Sequence, residues 1–271
     1  MPLRISCAIM CFGGIDLDYK EIMDRLTTAY QRALSDNFVG MYVHGSIAMG
    51  CFNPLTSDID YICIVNEEPD DAQKKLILDA TLEMDAYAPQ KGLEMHIMRL
   101  RDCIAPRHPA YFCLHYSRAH THSVLNDPQE YIARMKGFDP DLGGHLTIMH
   151  ACGVRWAGPP VADVFGPVPK EMYLESILED VLSDCGDEIY RICNLCRVWG
   201  YLAEGLVLSK RTGPEWALRH ETDHRETIRE ALACYNEGRA WNSAHGAEKA
   251  CAYLKGRIIS LLPDAFKEKY A

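Results

Sequence analysis

The chain of 271 residues is long enough for two modest domains, and its 48% hydrophobic content supplies an ample core, which excludes a disordered protein. A formal net charge of -10 excludes the basic face that nucleic-acid binding needs, and it suits a cationic partner. No run approaches the ~18 apolar residues of a membrane span, and twelve scattered cysteines read as reduced core thiols of a cytoplasmic protein.

At the N-terminus Ile5 to Gly14 is apolar after Arg4 but lacks a small-residue cleavage site, so it does not read as a secretory signal. Cys7, Cys11, Cys63 and Cys193 stand where a small hydrophobe would. Cys193 and Cys196 form a C-x-x-C within a helical run, without the second pair that a zinc site requires. From Asp16 to Ser35 the residues Ile22, Met23, Leu26, Tyr30 and Leu34 recur at helical spacing, which predicts an amphipathic helix.

A strand is predicted over Phe38 to Val43, leaving sharply at His44-Gly45-Ser46 into a helical turn, Ile47 to Gly50. A Gly-Ser at a helix start offers unpaired backbone N–H groups and a small hydroxyl, which suits a phosphate. Next comes Ser57-Asp58-Ile59-Asp60, running into the strand formers Tyr61 to Val65. Carboxylates two residues apart on a strand share a face. They repel unless a cation lies between them, and hard oxygen ligands favour Mg²⁺. Phosphate cradle and carboxylate pair, each joined to a strand, predict a metal–triphosphate site and nucleotidyl transfer.

Glu67 to Asp71 is an acidic turn, and Ala72 to Tyr87 a helix with Leu76, Ile77, Ala80 and Met84 on one side. After Pro89 to Gly92 a strand is predicted over Leu93 to Met98. Its Glu94 alternates with Leu93 and Met95 and so shares a face with His96 and Met98; by itself a lone strand glutamate is a solvated residue. Pro106 to Asn126 is crowded with His108, Tyr111, His115, Tyr116, His120 and His122, in a spacing that fits no standard zinc set. It reads as an aromatic and imidazole wall along a cleft, or as core packing. Lys136 to Leu142 is a turn opening a helix through His145 and Ile148. Gly153 to Pro169, dense in Gly and Pro, reads as the domain boundary. Beyond it helices are predicted over 171–182, 187–206, 215–220, 227–236 and 247–262, the last stopped by Pro263, which makes a helical bundle.

Gly45-Ser46 followed by Ser57-Asp58-Ile59-Asp60 resembles the signature of the polymerase-β-like nucleotidyltransferase superfamily. Within it, the string His44 to Val65 resembles the aminoglycoside adenylyltransferases that modify streptomycin and spectinomycin. The C-terminal half carries the same resemblance in Asp187-Glu188, Leu195-x-Arg197-x-Trp199, Ser209-Lys210 and Glu215-Trp216-Ala217-Leu218, in the family's order and spacing. The resemblance implies an α/β nucleotidyltransferase domain with a mixed sheet (1–157), a linker (158–170) and an all-α bundle (171–271), with the site in the cleft between. It implies that Asp58 and Asp60 hold Mg²⁺, that Glu94 is the general base, that Gly45, Ser46, Arg197 and Lys210 bind the triphosphate of ATP, and that Asp187 meets the aminoglycoside. Asp184, beside it, would add attraction for a polycation.

The expected reaction is transfer of AMP from ATP to a hydroxyl of a small aminoglycoside or aminocyclitol, with release of pyrophosphate. A monomer without nucleic-acid or membrane partners is expected. Relatives that accept streptomycin have a tryptophan after the base strand where Ala119 or a neighbour stands here, which favours a spectinomycin-like acceptor. The alternatives are a nucleotidyltransferase with another acceptor, protein or small molecule, and an inactive nucleotide-binding homologue.

Overall fold

The computed structural model describes residues 18–182, 186–220, 223–241 and 246–270. The apolar N-terminal stretch with Cys7 and Cys11, and the acidic Asp184, lie outside the described residues. The chain opens with α1 (Tyr19–Leu34), which buries Ile22, Met23, Leu26, Tyr30 and Leu34 as their spacing predicts. It leads into β1 (Phe38–Val43), a single turn α2 (Gly45–Ala48) and β2 (Ile59–Val65). A capping box starts α3 (Asp71–Asp85): the Asp70 carboxylate accepts the Gln73 N–H at 2.8 Å, and the Gln73 side chain accepts the Asp70 N–H at 3.1 Å. These bonds satisfy donors that a helix start leaves unpaired. There follow β3 (Leu93–Arg99), α4 (Leu100–Ile104), β4 (Ala110–Phe112), β5 (Leu114–Ser117), α5 (Thr121–Asn126), α6 (Pro128–Arg134), β6 (Gly137–Asp139), α7 (Leu142–Cys152) and β7 (Val154–Ala157).

The main sheet runs in the order β5-β3-β2-β1-β7, while β4 and β6 form a separate ribbon. It is mixed: β2 and β3 are parallel, and the pairs β1–β2, β1–β7 and β3–β5 are antiparallel. Strand alternation divides its side chains between two buried layers. Tyr61, Cys63 and Val65 of β2 and Leu93, Met95 and Ile97 of β3 pack with Leu26 and Tyr30 of α1 and Ile77 of α3. Ile62, Ile64 and Met98 point the other way, to Leu142, Leu146 and Met149 of α7. Asp60, Glu94 and His96 belong to this second face, at the end of the sheet where the apolar layer stops.

The breaker-rich stretch 153–169 departs from a plain boundary. Val154–Ala157 forms the edge strand β7 on β1, and an edge tolerates the flanking Gly and Pro that an inner strand would not. A short α8 (Val161–Val164) then presents Phe165 edge-on to Tyr42, ring centroids 5.0 Å apart, and the Tyr42 hydroxyl donates to the Pro159 carbonyl at 2.9 Å. Residues of the expected linker are therefore seated on the sheet.

The second half is helical: α9 (Lys170–Leu182), α10 (Glu188–Glu204), α11 (Thr212–His220), α12 (Arg225–Glu237), α13 (Ala247–Leu261) and α14 (Asp264–Tyr270). α10 is its axis, burying Ile192, Cys193, Leu195, Cys196, Val198 and Trp199. Cys193 and Cys196 are thus buried in the core of the helical half. Trp199 meets Trp216 of α11 edge-to-face at 5.0 Å. Pro263 ends α13 as expected, but α14 follows and buries Phe266 in the same core. The architecture is a mixed-sheet α/β domain followed by an all-helical one, as the sequence predicts. No described helix is long and apolar enough to cross a membrane.

Candidate active site

Where β1 ends, the His44 N–H donates to the Asp60 carbonyl at 3.0 Å and keeps the exit of β1 against β2. The chain then turns at Gly45, with φ +58°, directly over the Asp60 side chain. A Cβ on Gly45 would lie 1.8 Å from Asp60 Oδ2, so both the turn and the close approach demand glycine. Behind it the hydroxyl of Ser46 is buried without a hydrogen-bond partner among the described residues, and so is that of Thr56. Both line the same cleft. The loop that delivers Asp58 is closed on itself, the Ser57 N–H donating to the Asn53 carbonyl at 2.7 Å. It is also tied to the second half, since the Asn53 side chain donates to the Asn236 carbonyl at 2.8 Å.

Parallel pairing of β2 with β3 sets Asp60 opposite Glu94 and Ile62 opposite His96. Carboxylate oxygens of Asp58, Asp60 and Glu94 lie within 4.8 Å of one another. The start of β3 is clamped from behind. The Leu93 N–H donates to Asp85 at 2.7 Å, and Arg118 holds that carboxylate through its Nε at 2.8 Å. The same guanidinium donates to the carbonyls of Pro89 and Gln90, at 2.8 and 2.9 Å, and to that of Asp85. Such a fork of charge-assisted bonds fixes the backbone from which Glu94 projects.

Withdrawal from water, then the neighbouring Asp58 and Glu94, push the Asp60 carboxyl up to about 8. Glu94 is pushed up to about 7 by burial and then by Asp58, with Lys210 opposing. Across the cleft Lys210 is displaced the other way, downward, by burial and by Arg197 and Lys91, against the pull of Asp58 and Asp60. Its ammonium sits 4.6 Å over the Tyr190 ring. Arg197 on α10 is held in place: its Nε donates to the Leu208 carbonyl at 2.8 Å and its Nη1 to the Asn194 side chain at 2.7 Å.

These groups line one cleft of about 300 Å³ between the two halves. Gly45, Ser46, Asp58, Asp60 and Glu94 form one wall, and Arg197 and Lys210 belong to the other. A glycine pair lets α7 and α9 approach beneath it. A Cβ on Gly143 would be 2.7 Å from the Met172 carbonyl, and the Gly144 N–H donates to Ser176 at 2.9 Å. The described residues lining the cleft do not include Asp187, which caps α10 by accepting the Tyr190 N–H at 2.8 Å. Asp141, His145 and Asp180, which the sequence reading passed over, do line it. Asp180 accepts the Tyr190 hydroxyl at 2.9 Å. Asp141 had a signal, the Asp139-Pro140-Asp141 turn before α7; Asp180, inside a helix, had none.

The His-rich segment packs rather than gathers. His115 stacks on His96 with centroids 4.1 Å apart, His120 meets the Tyr131 hydroxyl at 3.0 Å, and His108 pairs with Glu175 at 2.9 Å.

Residues 163–256 match the family described as aminoglycoside adenylyltransferase, C-terminal domain. The chain is 23% identical over 190 residues to spectinomycin 9-adenylyltransferases of Staphylococcus aureus strains Mu50 and N315, an overlap of 67% of this chain and 71% of the relative. A crystal structure of spectinomycin adenyltransferase AAD(9) from Enterococcus faecialis with ATP and spectinomycin shares the fold. The TM-score is 0.74 at 20% identity, over 88% of this chain and 98% of that one. The resemblance to the aminoglycoside adenylyltransferases is borne out.

Proposed function

We propose that this chain, an adenylyltransferase by its relatives and its fold, transfers AMP from ATP to a hydroxyl of an aminoglycoside or aminocyclitol, with spectinomycin-like acceptors favoured over streptomycin. The observation that carries the reading is the cleft itself. Three crowded carboxylates on the sheet domain face a lysine and an arginine on the helical domain. Clustered carboxylates that cannot all ionise unaided ask for a cation, and Lys210 and Arg197 suit a polyphosphate. The relatives act on spectinomycin by name, and the solved neighbour holds ATP and spectinomycin.

In this reading Asp58 and Asp60 would hold Mg²⁺, and the donor set fits, being all-oxygen and anionic. When bound, the ion neutralises charge that develops on the triphosphate during in-line displacement. Gly45 lets the backbone approach the phosphates, and the unpartnered Ser46 hydroxyl bonds a phosphate oxygen. Arg197 and Lys210 orient the β- and γ-phosphates. Glu94 takes the proton of the acceptor hydroxyl while the acceptor oxygen bonds the α-phosphorus; the α–β bond breaks and pyrophosphate leaves. A base whose pKa lies near 7 is matched to that task at neutral pH. Asp141 and Asp180 face the cleft as acidic partners for a cationic acceptor, while Asp187 adds negative charge at the start of α10. The domain division at 158–170, a monomeric state and a cytoplasmic setting complete the proposal.

The test is pyrophosphate release from Mg·ATP across spectinomycin, streptomycin and further aminoglycosides. A strong spectinomycin-dependent signal with little from streptomycin is expected. Silence across the panel with ATP still bound would move the acceptor to another small molecule or to a protein.

A further inference from the structure

Directly beneath the carboxylates lies a layer of histidines. His96 follows Glu94 by two residues on β3 and so shares its face, and His145 reaches the same spot from α7. His96 is 2% exposed, and neither of its ring nitrogens has a hydrogen-bond partner among the described residues; the same holds for Nδ1 of His145. Leaving a buried polar atom unpaired costs on the order of 1–3 kcal/mol, so two open nitrogens on one buried ring call for a ligand. Stacking on His115 at 4.1 Å and the edge contact with His145 at 5.5 Å give His96 ring contacts but no proton acceptor or donor.

The geometry points to a transition-metal site made by Glu94, His96 and His145, distinct from the all-oxygen set of Asp58 and Asp60. One ligand atom from each of the three lies within 4.8 Å of the others. Bonds of about 2.0–2.1 Å in a tetrahedral site place ligands about 3.3 Å apart, so binding an ion asks the three side chains to draw closer. Two imidazoles and one carboxylate are a zinc-type donor set, whereas Mg²⁺ prefers oxygen. On the function proposed above, the shared carboxylate has a consequence: Glu94 bound to such an ion cannot accept a proton, so occupancy and turnover exclude each other.

The experiment is titration of the full-length protein with Co²⁺ in excess Mg²⁺, followed by visible absorption. It uses neither ATP nor acceptor, so its failure is separable from failure of the proposed activity. The expected result is one Co²⁺ per chain with the spectrum of a nitrogen- and oxygen-ligated tetrahedral site. Affinity should fall more than about 100-fold in His145→Ala, beyond the usual effect of losing an outer-shell partner. Glu94→Gln, which keeps the side-chain shape, should weaken binding as well and decides the matter if His145→Ala does not fold. A spectrum dominated by sulfur-to-cobalt charge transfer, no binding in excess Mg²⁺, or binding unchanged in the folded variants would overturn the assignment.

Discussion

Asp60→Asn separates what the site does for function from what it does to stability. In the metal-free protein the Asp60 carboxyl is pushed from 3.8 to about 8, first by withdrawal from water and then by Asp58 and Glu94. Below about pH 4 the group is protonated in both folded and unfolded chains and has no effect. As pH rises the unfolded chain ionises first while the folded one keeps its proton, so stability declines until the folded group titrates near 8. The gap of about 4 pH units at 1.36 kcal/mol each sets a ceiling of about 6 kcal/mol. Glu94 is itself pushed to about 7 and titrates over the same range, so about half of that ceiling, ~3 kcal/mol, is assigned to Asp60. Asparagine cannot ionise and escapes the penalty. At about pH 8.5, without metal, Asp60→Asn should therefore raise Tm by roughly 6–12 °C, while at about pH 4 the two proteins should melt together. Added Mg²⁺ should stabilise the parent but not the variant, and the variant should not turn over. Scanning fluorimetry across pH, with chelator and with Mg²⁺, reads all of this. A Tm difference that is the same at both pH values would refute the crowded-carboxylate reasoning.

Glu94→Gln should leave the ATP dissociation constant unchanged while turnover falls by about 100-fold or more, as loss of a general base does; loss of ATP binding would make Glu94 a ligand of the catalytic metal. Lys210→Ala removes charge-assisted contacts to phosphate, each worth about 1.5–3 kcal/mol, so calorimetry should show ATP binding weakened roughly 10- to 100-fold; an unchanged constant would take Lys210 out of the nucleotide site. Gly45→Ala would put a methyl 1.8 Å from Asp60 Oδ2 at a positive φ, so turnover should be lost together with Mg²⁺-dependent stabilisation. An active Gly45→Ala enzyme would refute the approach of the turn to Asp60.

The run from Phe38 to Met98 was legible almost residue by residue because its signals are local. Strand alternation, a Gly-Ser exit and helical spacing of apolar residues each act within a few positions, and β1, β2, α3 and β3 fall within two residues of their predicted bounds. The helices of the second half were legible for the same reason, from periodicity and from punctuation such as Pro263. What was not legible depends on partners far along the chain. Val154–Ala157 looks like part of a Gly- and Pro-rich boundary, and only the open edge of β1 makes it a strand. Asp141 and His145 enter the cleft because α7 packs across the sheet, and Asp180 because α9 packs on α7. Asp187 came from the resemblance and Asp184 from its acidity beside it, whereas Asp180 lines the cleft by its place on α9, a different helix from the α10 that Asp187 caps. The pairing of Asp60 with Glu94 follows from a parallel register that no local spacing encodes.

The opposite displacements of the acids and of Lys210 explain why the site spans two domains. Were the carboxylates and the cations on one rigid element, they would neutralise one another as ion pairs and leave nothing for a nucleotide to satisfy. Instead Arg197 is anchored to its own domain through Leu208 and Asn194, and Lys210 rests on Tyr190. The acids are anchored to the sheet, with Glu94 set by the Asp85–Arg118 clamp. On each wall burial and like neighbours therefore disfavour the charged form, Asp60 and Glu94 being raised and Lys210 lowered. On the proposed function, a metal–triphosphate complex would answer both walls at once, cation to the carboxylates and anion to the lysine and arginine. Its binding should draw the two domains together, and neither Mg²⁺ nor ATP alone should tighten the cleft as far as the pair does.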